Sequence, residues 1–350
     1  MSPTNYRVCI VGLSGIGTGK PATTEGGLGR TMPHSHAESY AFVPRTQVVG
    51  VCDLLDERVD EFVDAWAGTF PEVKGYTDFS TMLAEQQPDL LSVVTSDNRH
   101  ADIVVQAAES GVRGIFCEKP IATSLADADR MIDALERHHV VCNINHTRRW
   151  YPSYRQAVTQ VAAGAIGQLQ RITLNFGGPR AILFRNGTHM IDTICWLAGA
   201  DPEWVFAELD EGYQDYWPYQ GDGGRNPDLE PGCSGFIHFA NGVRAFYNGS
   251  KGTKPRSGFE LTGTDGWLWV DERRGLIGTD AGVRPLDPPP LTCSDSPAAI
   301  EEIIQAIEGG PPVSSPPRQA RKTLEIILGF LASQKGGNCR INFPLDEAAV

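Results

Sequence analysis

Val8-Cys-Ile-Val11 runs straight into Gly12-Leu-Ser-Gly-Ile-Gly17, an apolar, β-branched stretch that ends in a glycine-rich turn. Such a turn joins a buried strand to a helix, and its glycines let the backbone close on a dinucleotide's pyrophosphate. Gly12 and Gly17 occupy the first and third positions of the GxGxxG pattern, and Ser14 stands at the second. With Gly15 and Ile16 they form the expected phosphate cradle. The helix that should follow is displaced: residues 18–33 (TGKPATTEGGLGRTMP) intervene before a helical pattern over 35–42. The segment only approximates a nucleotide-hydrolysing P-loop, because Ser14 replaces the leading glycine and Pro21 the magnesium-holding Ser or Thr. The second apolar run ends at Cys52-Asp53, where a carboxylate accepts hydrogen bonds from the adenosine ribose. Asp53 lies 36 residues past Gly17, and without the 16-residue insertion the spacing returns to the usual value of about 20. Leu54 and Leu55 follow rather than a basic residue. The expected cofactor is therefore NAD, with NADP disfavoured by the carboxylate.

Outward from this turn, apolar runs at 7–12, 47–52, 90–95, 112–117 and 140–144 alternate with helical patterns at 35–42, 55–67, 79–85, 99–110 and 125–138. Strict alternation of buried strand and helix predicts a doubly wound parallel sheet, an α/β Rossmann domain over residues 1–145. A helix at 153–163 follows, and then the pattern changes. Strand-like runs at 169–176, 203–209, 235–239, 243–248, 258–263, 267–270 and 275–278 are joined by turns such as Asn241-Gly242 and Asp265-Gly266. These dipeptides signal type I′ hairpins, whose two central residues need positive φ. Residues 146–350 are thus expected to form an α+β domain with a mostly antiparallel open sheet, with further helices at 187–197, 298–308 and 318–333. Residues 211–232 contain Tyr213, Tyr216, Trp217 and Tyr219 in an irregular stretch suited to covering a cleft, stacking on a sugar ring or forming a subunit contact.

The net charge of −13 opposes binding to polyanions, so no nucleic-acid partner is expected. Eight scattered cysteines without CxxC pairs read as buried thiols in a reducing compartment, and no metal site is expected. With neither a leader pattern nor an apolar run of about 18 residues, the expectation is no membrane partner and a cytoplasmic location.

Two further segments carry a family resemblance. Thr95-Ser-Asp-Asn-Arg-His100 follows one apolar run, and Cys117-Glu-Lys-Pro-Ile121 ends the next. With the glycine turn they resemble the Gfo/Idh/MocA oxidoreductases, whose signature after the fifth strand is Glu-Lys-Pro. The resemblance extends through Arg149-Trp-Tyr-Pro152, Gly164-Ala-Ile-Gly167 and Cys339-Arg-Ile-Asn-Phe-Pro344. It implies a nicotinamide lying between two domains and an open C-terminal sheet face that mediates oligomers, here a homodimer or homotetramer. It also implies a cis bond before Pro120 that presents Lys119 to substrate, and it places Thr95, Ser96, Asp97, His100, Glu118 and Lys119 near the cofactor. Ser96 stands where the family usually has proline. In the second domain the family shows Asp, three residues, His, two residues, Asp. Here His189 and Asp192 match, but Arg185 replaces the first aspartate. Arg149, Trp150 and Arg185 are the substrate-binding candidates.

These residues suit oxidation of a secondary alcohol, with a small polyol, cyclitol, sugar or sugar acid as substrate. Lys119 is the expected proton-transfer group, since a desolvated ammonium near the positively charged nicotinamide has a lowered pKa. His189, with Asp192, would polarise the same oxygen or share the proton. One alternative is an enzyme that keeps and recycles its NAD during epimerisation, elimination or glycoside cleavage. Another is a non-catalytic NAD- or sugar-sensing regulator, against which the retention of Lys119 and His189 argues.

Overall fold

The computed structural model of the chain describes residues 5–19, 32–180, 182–211, 230–288 and 293–346. The calls on 20–31, within the insertion, and on 212–229, the aromatic stretch, lie outside the described residues. The chain divides into two compact units.

The first unit is built on six parallel strands: β1 (Tyr6–Val11), β2 (Thr46–Cys52), β3 (Lys74–Tyr76), β4 (Leu90–Val93), β5 (Gly114–Cys117) and β6 (Val141–Ile144), in the order 3-2-1-4-5-6. This is the Rossmann arrangement, and ligands bind outside the carboxyl ends of the strands where the order reverses, here between β1 and β4. β4 and β5 are buried along their whole length, which is why both read as largely apolar runs, with Ser92 the one polar residue between them. β3 escaped the periodicity because its three residues are exposed or half-exposed and carry no apolar signal.

The helix Asp295–Ile307 corrects the division read from chain order, which put every residue after 145 in the second domain. The first unit takes up residues to Ala122, Ala126–Trp150 and also Thr292–Arg318. Ala299, Ile300, Ile303 and Ile304 pack in one apolar cluster with Phe116 and Trp150, and Asn143 donates to the Ala299 carbonyl at 3.0 Å. An amphipathic stripe shows that a helix must be covered, but not which sheet covers it.

The second unit carries nine strands: β7 (Leu169–Gly177), β8 (Pro202–Leu209), β9 (Cys233–Phe239), β10 (Arg244–Ser250), β11 (Gly258–Gly263), β12 (Gly266–Val270), β13 (Gly275–Thr279), β14 (Gly282–Pro285) and β15 (Ile341–Asn342). Their order is 14-13-12-11-7-10-9-8-15, and among these neighbours only β7 and β10 pair parallel. One face is covered by helices: Tyr154 of Pro152–Ala162 meets Phe259 edge-on, and Phe330 of Pro317–Lys335 lies against Tyr247 and over Gly235. The opposite face of β8 to β10 carries a band of aromatic side chains, Trp204, Phe206, Phe236 and Phe246. Both anticipated hairpins form, but not through type I′ turns. Only Gly242 of the first dipeptide has positive φ, and neither Asp265 nor Gly266 does. The Val243 amide instead donates to the Asn241 side chain, a local bond that Asn makes readily in turns.

Candidate active site

At the end of β1 the backbone turns so tightly that side chains are excluded. Gly12 has φ +93°, and a Cβ there would sit 2.4 Å from the Val94 carbonyl oxygen; one on Gly17 would sit 2.6 Å from the Gly12 carbonyl oxygen. Ser14 is extended (φ −134°, ψ 152°) and opens a 3-10 turn over Gly15–Gly17. Its conformation suits any residue, so serine fits the pattern's second position. The left-handed residue is Gly15, at φ +55°, with nothing within 4 Å of where its Cβ would be. That open side is the surface a diphosphate would cover, so these residues fit a dinucleotide.

The helix that usually follows the turn begins only at His36, where Ser35 and Glu38 form a reciprocal capping box. A Cβ on Gly19 would lie 2.1 Å from Ser35 Oγ. Gly19 and Ser35 therefore lie in close contact, and the turn and the helix from His36 keep the Rossmann frame on either side of the insertion.

Asp53 is tied into the same turn: Oδ2 accepts from the Leu13 amide at 2.8 Å and Oδ1 from the Leu55 amide at 3.2 Å. Leu54 is 89% exposed. The sequence reading found no cation here, yet the structure supplies one, since Arg58 Nη1 lies 3.5 Å from Asp53 Oδ2. Five residues separate the two, and the helix Asp56–Trp66 carries Arg58 back over the strand end.

Behind β4, Asp97 is buried in a 3-10 turn, Asp97–Arg99, while Thr95 and Ser96 are half-buried at the strand end. His100 is wholly buried, with Nδ1 2.9 Å from the Pro120 carbonyl oxygen and Nε2 3.3 Å from that of Thr95. It ties the loop after β4 to the loop after β5. Gly12 packs on Val94, and His100 joins Thr95 to Pro120, so the glycine turn and Lys119 belong to one continuous crevice edge.

The Lys119–Pro120 bond is cis. Lys119 is only 6% exposed, and its amide donates to Glu118 Oε2 at 3.3 Å. Glu118 Oε1 accepts from Asn145 Nδ2 at 2.6 Å and lies 3.1 Å from His36 Nε2. His36 Nδ1 is 2.8 Å from Ser92 Oγ, itself 2.8 Å from the Tyr40 hydroxyl, and the imidazole stacks on Phe116. Burial would raise the Glu118 pKa, but the hydrogen bond from His36, the charge of Lys119 and the Asn145 bond outweigh it and hold it well below the usual carboxylate range. A carboxyl depressed on folding adds stability above its unfolded pKa of about 4.3 and loses it as pH falls toward the folded value. Above about pH 5, this contribution is complete.

Trp150 is not on the substrate side. It is wholly buried in the apolar core, edge-on to Phe116, and is a packing residue. Arg149 is also buried and donates to the Ser314 carbonyl at 2.8 Å, which links β6's exit to the segment leaving helix Asp295–Ile307.

In the second unit, His189 and Asp192 are buried on the helix Thr188–Ala198, three positions apart. Side chains at that spacing lie on one helix face. A π-helical turn, Leu183–Gly187, leads into it and carries Arg185. Such widened turns recur at functional sites. Gly187 is required there, because a Cβ would lie 2.6 Å from the Tyr247 hydroxyl and 2.8 Å from the Ile182 carbonyl oxygen. Arg180 has its pKa lowered by burial and by repulsion from Arg185, against the attraction of Glu230. Two guanidiniums and one buried carboxylate therefore share this region. The sequence singled out only Arg185; Arg180 and Glu230 flank the irregular stretches and follow no periodicity.

Residues 7–146 match the family described as oxidoreductase family, NAD-binding Rossmann fold, and residues 154–269 match the GFO/IDH/MocA C-terminal domain. The chain belongs to the Gfo/Idh/MocA oxidoreductases. It is 25% identical to a myo-inositol 2-dehydrogenase of Thermotoga maritima over 285 residues, covering 78% of this chain and 75% of that protein. It is 28% identical to the inositol 2-dehydrogenase of Salmonella typhimurium over 169 residues, 45% of this chain and about half (49%) of that protein. A crystal structure of an aldose-aldose oxidoreductase from Caulobacter crescentus superposes with a TM-score of 0.77 at 18% identity, over 97% of this chain and all of that one, which shows the shared fold. Among the described residues no cluster of His, Cys, Asp and Glu is arranged to hold a metal, and no helix is long and apolar enough to cross a membrane.

Proposed function

We propose that this family member is a dehydrogenase moving a hydride between the hydroxyl-bearing carbon of a cyclitol, sugar or sugar acid and NAD. The observation that carries this reading is the buried Glu118-Lys119 pair on the edge that also holds the glycine turn. Gly12, Ser14, Gly15, Ile16 and Gly17 would hold the diphosphate, Asp53 the ribose, and Thr95, Ser96 and Asp97 the crevice wall. When bound, the nicotinamide supplies the hydride acceptor. Lys119 takes the hydroxyl proton at Nζ. The substrates of the inositol 2-dehydrogenase relatives support the cyclitol class. The test is a panel of inositols, aldoses and uronic acids with NAD, following NADH and oxidised product together. Equal amounts support the dehydrogenase; product without accumulating NADH would replace it with recycled-cofactor chemistry.

NAD should be preferred to NADP because Asp53 repels a 2′-phosphate even with Arg58 at its side. The expected margin in kcat/KM is about ten-fold or more, roughly 1.4 kcal/mol. Asp53→Ser should narrow it, since Arg58 is then left to meet the phosphate. Native kinetics favouring NADP would remove Asp53 from the ribose site.

Arg185, with Arg180, gives the substrate side a positive character suited to a carboxylate or phosphate. Arg185→Ala is expected to lose preference for anionic over neutral sugars by about 10- to 150-fold, the worth of a charge-assisted hydrogen bond, with the melting temperature unchanged. A large fall in melting temperature with preference intact would make Arg185 a structural ion-pair residue.

The protein is proposed to act as a homodimer or homotetramer through the outer face of β8 to β10. Phe206 and Phe246 are 44% and 38% exposed there, and Arg340 stacks on Trp204. A contiguous aromatic band of this kind marks an interface. In sedimentation, Phe206→Glu should shift the protein to a smaller species; an unchanged assembly would exclude this face.

A further inference from the structure

Tyr40, Ser92 and His36 form a file of buried polar groups beneath the Glu118-Lys119 pair, and no phosphate or ribose contact explains them. The separations are 2.8 Å from Tyr40 to Ser92, 2.8 Å from Ser92 to His36 Nδ1 and 3.1 Å from His36 Nε2 to Glu118 Oε1. His36 and Ser92 are wholly inaccessible and Tyr40 nearly so. Buried donors need acceptors, which restricts the direction of each bond. If Tyr40 donates to Ser92, Ser92 to His36 Nδ1 and His36 Nε2–H to Glu118, every proton has an acceptor. A doubly protonated His36 would give its Nδ1 proton to Ser92, and either the Ser92 or the Tyr40 proton would then lack an acceptor among the described residues. The run of bonds therefore has one direction and ends on the carboxylate.

We propose that Tyr40, Ser92 and His36 are positioning residues: their one-way hydrogen-bond chain keeps Glu118 ionised, and Glu118 in turn fixes the backbone of Lys119 by accepting from its amide. The proposal rests on the reading of Lys119 as the proton-transfer residue, and it names what sets that residue's position. Asn145 completes the clamp, with Nδ2 on the same Glu118 oxygen. The other ionisable groups beside this shell among the described residues are Cys9, which acts on Tyr40, Cys117 and Cys142, all three kept as thiols by burial, and Asp97, which acts on Cys117. His36 is the only imidazole bonded to the Glu118 carboxylate among the described residues.

The experiment uses the full-length, NAD-loaded protein and needs no substrate, so it stands apart from a failure of the proposed reaction. Carbon-13 NMR of labelled glutamate, with Glu118 assigned by its loss in Glu118→Gln, follows the carboxyl through a pH titration. Nitrogen-15 NMR of the native protein reads the two His36 nitrogens. Amide hydrogen exchange reads the protection of the Lys119 backbone N–H. The native protein should show Glu118 ionised to the acid limit of folding and His36 protonated on Nε2 alone. His36→Phe should raise the Glu118 midpoint by at least about one pH unit and, by loosening the carboxylate that the Lys119 amide donates to, speed exchange of that amide about ten-fold. His36→Gln, whose amide nitrogen can reach the place of Nε2, should restore both. Should His36→Phe not fold, Ser92→Ala is expected to shift both readouts in the same direction by a smaller amount. An imidazolium or an Nδ1–H tautomer in the native protein, or Glu118 and Lys119 readouts that do not move in the folded variants, would overturn the proposal.

Discussion

Lys119→Ala is expected to lower kcat about 100- to 10,000-fold, the usual worth of a general acid-base group, while NAD binding and the fold persist. The side chain is 94% removed from solvent by neighbours that remain when it is truncated, being 6% exposed in the native fold. Its loss should therefore leave the glycine turn and Asp53 intact. Lys119→Arg separates two roles of the amine, because a guanidinium keeps the charge but does not give up its proton at working pH. If the lysine moves a proton, both variants are inactive. If it only supplies charge, the arginine variant retains turnover, and pre-steady-state hydride transfer would show it.

Gly12→Ala is expected to be the most damaging single change in the phosphate turn. Its Cβ would lie 2.4 Å from the Val94 carbonyl oxygen and 2.9 Å from the Thr95 amide nitrogen, in a backbone at φ +93°. Neither backbone atom can move without shifting β4's exit, and the left-handed conformation alone costs about 1–2 kcal/mol. Clash and strain together should remove several kcal/mol from the first unit and abolish NAD binding. Gly15→Ala makes the useful contrast: its Cβ meets nothing within 4 Å, so only the cost of φ +55° remains. The fold should lose about 1 kcal/mol, yet NAD affinity should fall well beyond that, because the open side is where the diphosphate lies. Thermal melts with and without NAD measure both; equal stability losses in the two variants would show that Gly12 is not confined as described.

The identity of the site elements was largely legible in the chain. Glycines at fixed spacing, an acidic residue at the end of the second strand and Glu-Lys-Pro after the fifth all act within a few residues of a strand end, so local sequence reports them. Arg58 is not evident from the two residues after Asp53, because a helix brings its third residue back over the strand end. That serine can stand at the pattern's second position is a matter of backbone: Ser14 is extended, the left-handed requirement of the turn falls on Gly12 and Gly15, and only the dihedral angles show it. Trp150, read as a substrate residue, is core, since its neighbour Phe116 comes from a strand 34 residues earlier.

By itself the sequence determined the two fold classes, the order of the helices and of all strands but β3, β14 and β15, the phosphate turn and the displaced position of its helix. Those features follow from periodicity and turn chemistry, which express how each short segment meets solvent or core. Tertiary structure alone decided that helix Asp295–Ile307 belongs to the Rossmann unit, and that residues 36, 40, 92, 118 and 145 meet in one buried chain. Their meeting depends on β4 lying beside β5, β5 beside β6, and the helix from His36 crossing over them. Strand order is set by the packing of the whole sheet, and no window of sequence contains it.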